Sequence, residues 1–286
     1  MNAKLFYVGA CTALLVGCAT VNEPAPETLI AHRGESADAP ENTLPAYKMA
    51  VSRGFGFECD IYLSADKRLF TFHDKDLART TAGVHAERCT EASWTKTVSK
   101  VNVGGWGKWK GSAFDPTRPA LLEEVLALAR DGRKIYVEVK GNDPSWAPHV
   151  KAVFDKQTNA NPDNVRFITF GDKIAKALKR TMGDYKLYFL LAARPTRTAK
   201  PWTADEIIAK LREIGADGVD ILFDPQVHDA VFVKKVRDAG YEFHVWTIDS
   251  LEKAERAFAA GAQTVTTNCA KKLLDAYRAK KALPPR

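Results

Sequence analysis

Short apolar runs rich in β-branched and aromatic residues alternate with helix-like patterns along nearly the whole chain. The runs predict strands at residues 28–31, 57–63, 69–72, 135–140, 165–170, 187–192, 218–223, 242–248 and 264–267. Apolar positions with a helical period predict helices at residues 44–53, 121–131, 204–214, 227–239 and 251–260. The later strands are mostly continuous apolar runs, which is typical of parallel strands buried on both faces.

This alternation predicts an α/β protein, specifically a (β/α)₈ TIM barrel, if residues 69–72 continue the second unit. The length of 286 residues fits one such barrel, for which about 250 residues are typical. A doubly wound open sheet is the second candidate. No Gly-x-Gly-x-x-Gly follows the first strand, which disfavours a dinucleotide site and with it that alternative.

Residues 76–119 interrupt the alternation of strands and helices, because this segment is far longer than the usual βα loop of about 2–6 residues. We interpret this segment as a small cap inserted after the second βα unit. It contains Trp94, Trp106 and Trp109. These aromatic side chains either pack on the barrel rim or form a lid that contacts substrate or a lipid surface, and the sequence favours neither interpretation.

The N-terminal residues predict a leader. A lysine at position 4 precedes an apolar run that is shorter than the ~20 residues needed to span a bilayer, so residues 1–17 are interpreted as a signal peptide. The run ends in Gly17-Cys18, which resembles the bacterial lipoprotein box. We therefore predict a lipidated Cys18, a tether over residues 18–27 and a barrel over residues 28–286. The protein is then an exported, periplasmic or cell-surface lipoprotein, with an ordinary secretory signal as the alternative.

Composition narrows the function classes. Hydrophobic residues make up 45% and charged residues 27% of the chain, as in ordinary soluble globular proteins. The net charge is +7, but the basic residues are scattered and form no nucleic-acid-binding motif, so no nucleic-acid partner is expected. The predicted barrel contains Cys59, Cys89 and Cys269, an odd number without a Cys-x-x-Cys pair, and a disulfide framework is not expected.

Polar side chains follow or end four predicted strands, where an apolar barrel interior would not require them. In chain order they are His32 and Arg33, then Glu58 and Asp60 on one strand face, then His73, and finally Glu138 and Lys140 on one strand face. In a TIM barrel these positions lie at the carboxyl ends of the strands, where active sites are found.

These residue types together predict phosphate chemistry. Three carboxylates offer hard oxygen ligands for one divalent cation, Ca²⁺ or Mg²⁺. Two histidines suit general acid and base catalysis near neutral pH. Arg33 and Lys140 supply positive charge for a phosphate group.

The same residues carry a family resemblance. His32-Arg33-Gly34, Pro40-Glu41-Asn42-Thr43, Glu58-x-Asp60, His73-Asp74 and Glu138-x-Lys140 occur in the order and spacing of glycerophosphodiester phosphodiesterases. Arg79-Thr80-Thr81 and residues 121–125 are also similar to that family, and Trp246 and Asn268 match it more loosely. The resemblance covers residues 29–274, nearly the whole predicted mature chain.

The resemblance implies metal ligation by Glu58, Asp60 and Glu138, and acid–base work by His32 and His73. It further implies that Arg33 and Lys140 bind the phosphate, that Trp246 contacts the substrate, and that Glu41 and Asn42 brace the first loop. For Glu41 a place near the metal is the alternative. The expected reaction is metal-dependent hydrolysis of a small glycerophosphodiester to glycerol 3-phosphate and an alcohol. The alternatives are a lysophospholipase D, a surface-anchored binding barrel without catalysis and, ranked last, a metal-dependent isomerase or aldolase.

Overall fold

The computed structural model describes residues 23–130, 132–196 and 198–282. The predicted signal peptide, Cys18 and the first part of the predicted tether lie outside these residues. The described residues contain nine strands: β1 (Leu29–Ala31), β2 (Gly56–Leu63), β3 (Leu69–Thr71), β4 (Ile135–Val139), β5 (Val165–Thr169), β6 (Lys186–Leu191), β7 (Gly218–Leu222), β8 (Glu242–Trp246) and β9 (Thr264–Thr267).

Eight α-helices lie in the same described part of the chain: α1 (Leu44–Ser52), α2 (Leu122–Leu126), α3 (Ala147–Phe154), α4 (Asp172–Thr181), α5 (Ala204–Ile214), α6 (Ala230–Asp238), α7 (Leu251–Ala260) and α8 (Ala270–Ala282). Helix α2 ends well before the predicted residue 131. The apolar side chains that suggested a longer helix include Ala129, which is buried in a turn after α2. The apolar period of this segment therefore reflects side chains that are buried in a turn, and not a helix that continues to residue 131.

The strands close into the predicted barrel. Eight of them pair in parallel in the order β1, β9, β8, β7, β6, β5, β4 and β2, and β2 pairs again with β1. Strand β3 runs antiparallel to the end of β2, from Ile61 to Leu63, along the edge that the short β1 leaves free. Residues 69–72 are thus the return arm of a hairpin within the second unit.

The register separates two apolar layers. Side chains on one strand face pack against the helices and form the main core, which includes Phe57, Val137 and Phe243. Side chains on the other face fill the barrel interior, where Ile30, Tyr136, Ile168, Tyr188 and Leu190 form a second cluster. This alternation also turns Glu58, Asp60 and Glu138 inward, because Glu58 pairs with Tyr136 and Asp60 pairs with Glu138 across the sheet.

A hydrogen-bonded polar cluster closes the amino-terminal end of the barrel. Tyr188 donates to Glu242 Oε2 (2.8 Å) and receives Nε–H of Arg166 (3.1 Å). His244 Nδ1 lies 2.7 Å from Thr264 Oγ1, and its ring stacks on Tyr188. Buried polar groups need such partners. These hydrogen-bonded side chains fill the amino-terminal end of the barrel interior.

The cap of residues 76–119 packs on the barrel through apolar side chains and contains two single 3₁₀ turns, Val98–Lys100 and Gly107–Trp109. Trp94 is buried against Phe70 of β3, with ring centroids 6.1 Å apart. The guanidinium of Arg79 lies 5.0 Å from the centre of the Trp106 ring. Trp94 thus packs on the rim, whereas Trp106 contacts a residue that reaches the site described below.

None of the helices among the described residues is both long and apolar enough to cross a bilayer.

His228 lies just before α6 and is almost fully buried among aromatic side chains. Its Nδ1 accepts the backbone N–H of Asp224 (3.1 Å), and its ring centroid lies 5.1 Å from that of Phe232. Burial lowers the pKa of His228 to about 4. The folded protein therefore keeps this imidazole neutral at pH values where the unfolded chain already binds a proton.

We expect this difference to make stability fall as the pH falls through the unfolded pKa of ~6.5 towards the folded value. When the pH is lowered from about 7.5 to about 4.5, His228 should lower the free energy of unfolding by about 2 kcal/mol. The variant His228→Asn keeps an acceptor for the Asp224 N–H but cannot titrate. Urea unfolding of both proteins at both pH values tests this, and equal pH dependence in the two would contradict it.

Candidate active site

The carboxyl ends of the barrel strands surround a cavity of about 290 Å³. Every residue predicted for the catalytic, phosphate-binding and metal-binding roles lines this cavity except Asp60, which contacts the lining residues Arg33 and Lys140. The cavity is lined by His32, Arg33, Glu58, His73, Glu138, Lys140, Ile168, Phe170, Leu190, Asp220, Trp246, Thr247 and Thr266. Apart from Asp220 in β7, the ionic residues lie in or directly after β1, β2, β3 and β4, and the apolar ones lie in or directly after β5, β6 and β8.

Three carboxylates form the acidic centre. Glu58, Asp60 and Glu138 each offer an oxygen atom, and these atoms lie within 4.8 Å of one another. Burial and repulsion by Asp60 and Glu138 raise the pKa of Glu58 well above its usual range. Burial and repulsion by Asp60 raise the pKa of Glu138 to about 7. Burial also acts to raise the pKa of Asp60, but Lys140 and Arg33 together lower it.

The acidic centre fits a divalent cation. Glu58 Oε1 is buried and has no hydrogen-bond partner among the described residues, although a buried carboxylate oxygen normally has one. Lys140 Nζ lies 2.9 Å from both Asp60 Oδ1 and Glu138 Oε1, so it neutralises only part of the triad. Hard carboxylate oxygens of this kind suit Ca²⁺ or Mg²⁺.

His32 is fixed by a chain of hydrogen bonds. Its Nδ1 lies 2.7 Å from Asn268 Oδ1, and Asn268 Nδ2 donates to Asp249 Oδ2 (2.7 Å). The other ring nitrogen, Nε2, points towards Glu58, 4.0 Å from Oε2. Burial, with the adjacent Arg33 charge, lowers the pKa of His32 to about 4. The imidazole is thus neutral near pH 7, with its proton on Nδ1 and a free lone pair on Nε2.

His73 follows β3 and is fixed in the same way. Its Nδ1 lies 2.7 Å from Asp74 Oδ1, so Nε2 is the ring nitrogen left for chemistry. Burial lowers the pKa of His73, and Lys140 and Arg33 act in the same direction, while Asp60 and Asp74 partly offset them. The two histidines line one cavity with the acidic centre.

A ladder of alternating charges joins the two histidine loops. Glu41 accepts from Arg33 (2.9 Å) and from Arg79 Nη2 (2.7 Å), and Arg79 Nε donates to Asp74 Oδ2 (2.5 Å). Asp74 is the partner of His73. Glu41 therefore braces the first loop, as the resemblance implied, and it lies on guanidinium groups rather than in the acidic triad.

Asn42 and the backbone at Arg33 complete the first loop. Asn42 Nδ2 donates to Asp60 Oδ2 (2.7 Å), and its Oδ1 accepts from the backbone N–H of Asp60 (3.1 Å). The backbone N–H of Arg33 donates to Glu58 Oε2 (2.8 Å). Gly34 has φ +77°, and a Cβ there would lie 2.6 Å from Ala46, so only glycine allows this loop to lie against α1.

The protein is thus a TIM barrel in which acidic, basic and imidazole groups surround one cavity at the carboxyl end of the barrel. The sequence profile of the glycerophosphoryl diester phosphodiesterase family matches residues 32–272. The chain belongs to this family of hydrolases.

Individual relatives agree with this assignment. The chain is 28% identical over 250 residues to glycerophosphodiester phosphodiesterase GDPD4 of Arabidopsis thaliana, covering 85% of this chain and 71% of the relative. It is 25% identical over 256 residues to the glycerophosphodiester phosphodiesterase of Caldanaerobacter subterraneus subsp. tengcongensis, covering 87% and 97%. Its fold resembles that of an Oleispira antarctica phosphodiesterase solved with its product sn-glycerol-3-phosphate, with a TM-score of 0.72, 22% identity and coverage of 88% and 96%.

Several residues of the site are absent from the sequence-based prediction. Asp249, Asp220, Phe170 and Ile168 lie on or after late strands. Asp220 had a local signal, a carboxylate within an apolar strand, as Glu58 and Glu138 have. Phe170 and Ile168 had none, because apolar residues at strand ends are common.

Proposed function

We propose that this protein hydrolyses glycerophosphodiesters to glycerol 3-phosphate and an alcohol, using a divalent cation, Ca²⁺ or Mg²⁺, and the pair His32 and His73. The observation that carries the proposal is the pairing of two histidines, each held through Nδ1, at one cavity with the Glu58–Asp60–Glu138 triad. The product named in the Oleispira antarctica structure supports the same reaction.

Each residue has a defined task in this proposal. Arg33 and Lys140 attract and orient the phosphodiester. One histidine removes a proton from the attacking hydroxyl at its Nε2, and the other protonates the oxygen of the leaving alcohol. The attacking group is water, or it is the substrate's own glycerol hydroxyl. In the second case the alcohol leaves as a cyclic phosphate forms, and water then opens that ring to give glycerol 3-phosphate. Glu58, Asp60 and Glu138 would hold the cation, which would supply polarisation of the phosphodiester and stabilisation of negative charge on its oxygens.

The experiment is to measure glycerol 3-phosphate release from glycerophosphocholine by the purified protein with Ca²⁺, Mg²⁺ or EDTA. Release that requires metal supports the proposal. A folded protein that releases no glycerol 3-phosphate under any of these conditions would contradict it, and would favour lysophospholipid substrates first and the non-catalytic binding barrel next.

An apolar mouth favours a second candidate substrate, a lysophospholipid cleaved by lysophospholipase D activity. Phe170 and Leu222 are 48% and 36% exposed, and contiguous exposed apolar side chains can mark a ligand-binding surface. Phe170 meets Trp246 edge to face, with centroids 5.8 Å apart, and Leu222 pairs with Trp246 in the sheet. This surface suits an acyl chain leaving the cavity.

If lysophospholipids are substrates, Phe170→Ala should raise KM for lysophosphatidylcholine about tenfold, because about 1–2 kcal/mol of apolar contact is lost. Turnover of glycerophosphocholine should change less than about twofold. The matched control is Val231→Ala, since Val231 is 77% exposed on α6 outside the cavity. Equal changes of KM for both substrates would exclude an acyl-chain contact at Phe170.

We further propose that the protein is exported and anchored to a membrane through lipid on Cys18. The support is the apolar leader that ends in Gly17-Cys18. Cys18→Ser is expected to move the protein from the membrane fraction to the soluble fraction of the exported material. Cys269→Ser, in a cysteine of the barrel, should leave the distribution unchanged, and a membrane-bound Cys18→Ser protein would argue against the anchor.

A further inference from the structure

Asp220 is a buried carboxyl group that the proposed reaction does not use. It lies in the middle of β7, paired with Leu190 on one side and His244 on the other. Its side chain faces the barrel interior and lines the cavity, yet the residue is only 1% exposed. Its Oδ1 is buried without a hydrogen-bond partner among the residues that the structure describes.

The position of Asp220 in the barrel separates it from the ionic half of the site. In the closed ring of eight parallel strands, β7 lies four strands from β2 in either direction. Asp220 therefore faces Glu58 and Asp60 from the opposite wall. Its neighbours around the cavity are Ile168, Leu190 and Trp246. A carboxyl group in such apolar surroundings is costly unless a bound molecule supplies the missing partner.

The chemistry of this group restricts that partner. Burial, with repulsion from Glu138, raises the pKa of Asp220 to about 8. A protonated carboxyl offers one O–H donor and acceptor oxygens, which match an alcohol hydroxyl group. A phosphate or ammonium group would instead be drawn to the charged groups on the other wall.

We propose that Asp220 binds the terminal hydroxyl of the substrate's glycerol moiety, the hydroxyl farthest from the phosphate. This inference rests on the proposed function. The phosphate lies with Arg33 and Lys140 on one wall, and the glycerol extends across the cavity to Asp220. The middle hydroxyl, next to the phosphate, stays free. Asp220 is thus a substrate-binding residue that selects glycerol over shorter or deoxygenated alcohols.

The test compares glycerophosphocholine with 2-hydroxypropyl phosphocholine, which lacks only the terminal hydroxyl. The wild-type protein should prefer glycerophosphocholine about 10- to 100-fold in kcat/KM. Asp220→Leu, similar in shape but unable to hydrogen-bond, should lose most of this preference through a higher KM for glycerophosphocholine, with turnover of the analogue retained. Asp220→Asn, which keeps a donor and an acceptor, should retain the preference.

Folding is checked in the same variants by thermal unfolding, and Asp220→Leu should be at least as stable as the wild type, because an unpartnered buried polar group is removed. An Asp220→Leu protein with the full wild-type preference would overturn the inference. So would an equal loss of activity on both substrates with a higher metal requirement, which would assign Asp220 to the acidic centre. If the wild type cleaves neither substrate with any metal, the proposed function itself fails, and the inference with it.

Discussion

Replacing His73 with asparagine should lower kcat for glycerophosphocholine about 10²–10⁴-fold, while the protein stays folded. His73 is held by Asp74 through Nδ1, so its loss removes the proton-transfer group at Nε2. Asparagine can keep a hydrogen bond to Asp74 but cannot transfer a proton. Binding of the product glycerol 3-phosphate should be nearly unchanged, since Arg33 and Lys140 remain.

The measurements are steady-state kinetics at saturating metal, product binding by calorimetry and thermal unfolding. His149→Asn is the matched control, because His149 lies on α3, away from the cavity. Its kinetics should match those of the wild type. A His73→Asn protein with full metal-dependent activity would remove His73 from the mechanism and leave His32 as the single acid–base candidate.

Glu58→Gln should remove the response to metal, in both activity and stability. A bound cation contributes several kcal/mol of charge stabilisation in such sites, so kcat/KM should fall roughly 10³-fold. The wild type should also melt at a higher temperature with Ca²⁺ or Mg²⁺ than with EDTA, because the cation binds only the folded triad. The variant should show little or no such shift.

The same substitution should raise the melting temperature in EDTA. The pKa of Glu58 is raised by burial and by its carboxylate neighbours, which means that the ionised triad destabilises the protein without a cation. Glu242→Gln, at the opposite end of the same barrel, should keep both metal responses. A Glu58→Gln protein whose melting temperature still rises with metal would place the cation elsewhere.

The acidic triad and Asp220 are two kinds of unfavourable interaction inside this barrel. The triad places like charges together, and Arg33 and Lys140 balance them only partly. Asp220 places one polar group among apolar neighbours. In our proposals a bound ligand stabilises each of them, a cation at the triad and a substrate hydroxyl at Asp220. Such sites are destabilising in isolation, which is why they are typical of function rather than of packing.

The charge ladder through Glu41 and Arg79 connects the cap to the chemistry. Arg79 contacts both Asp74 and the ring of Trp106, so the cap packs on a residue that helps to position His73. Trp94 packs on the barrel rim, as the first interpretation of the cap tryptophans has it. Trp106 contacts Arg79 of the ladder, and neither ring lines the cavity. A contact of the cap with substrate or with a lipid surface therefore stays a prediction.

The sequence alone determined the barrel and the ionic half of the site. Strand periodicity is local, so the apolar runs predicted all nine strands, and polar residues at four strand ends identified His32, Glu58, His73 and Glu138. The hairpin direction of β3 and the early end of α2 were not predictable, because each depends on which surface the chain packs against and not on its own pattern.

Only the tertiary structure decided how distant residues combine. Asn268 and Asp249 fix the ring of His32 across 236 and 217 residues of sequence, because closure of the sheet places the last strands beside the first. The same closure turns Asp220 towards the triad and leaves Phe170 at the mouth. Whether an inward side chain finds a partner depends on the whole ring of strands, and no single segment of the sequence contains that information.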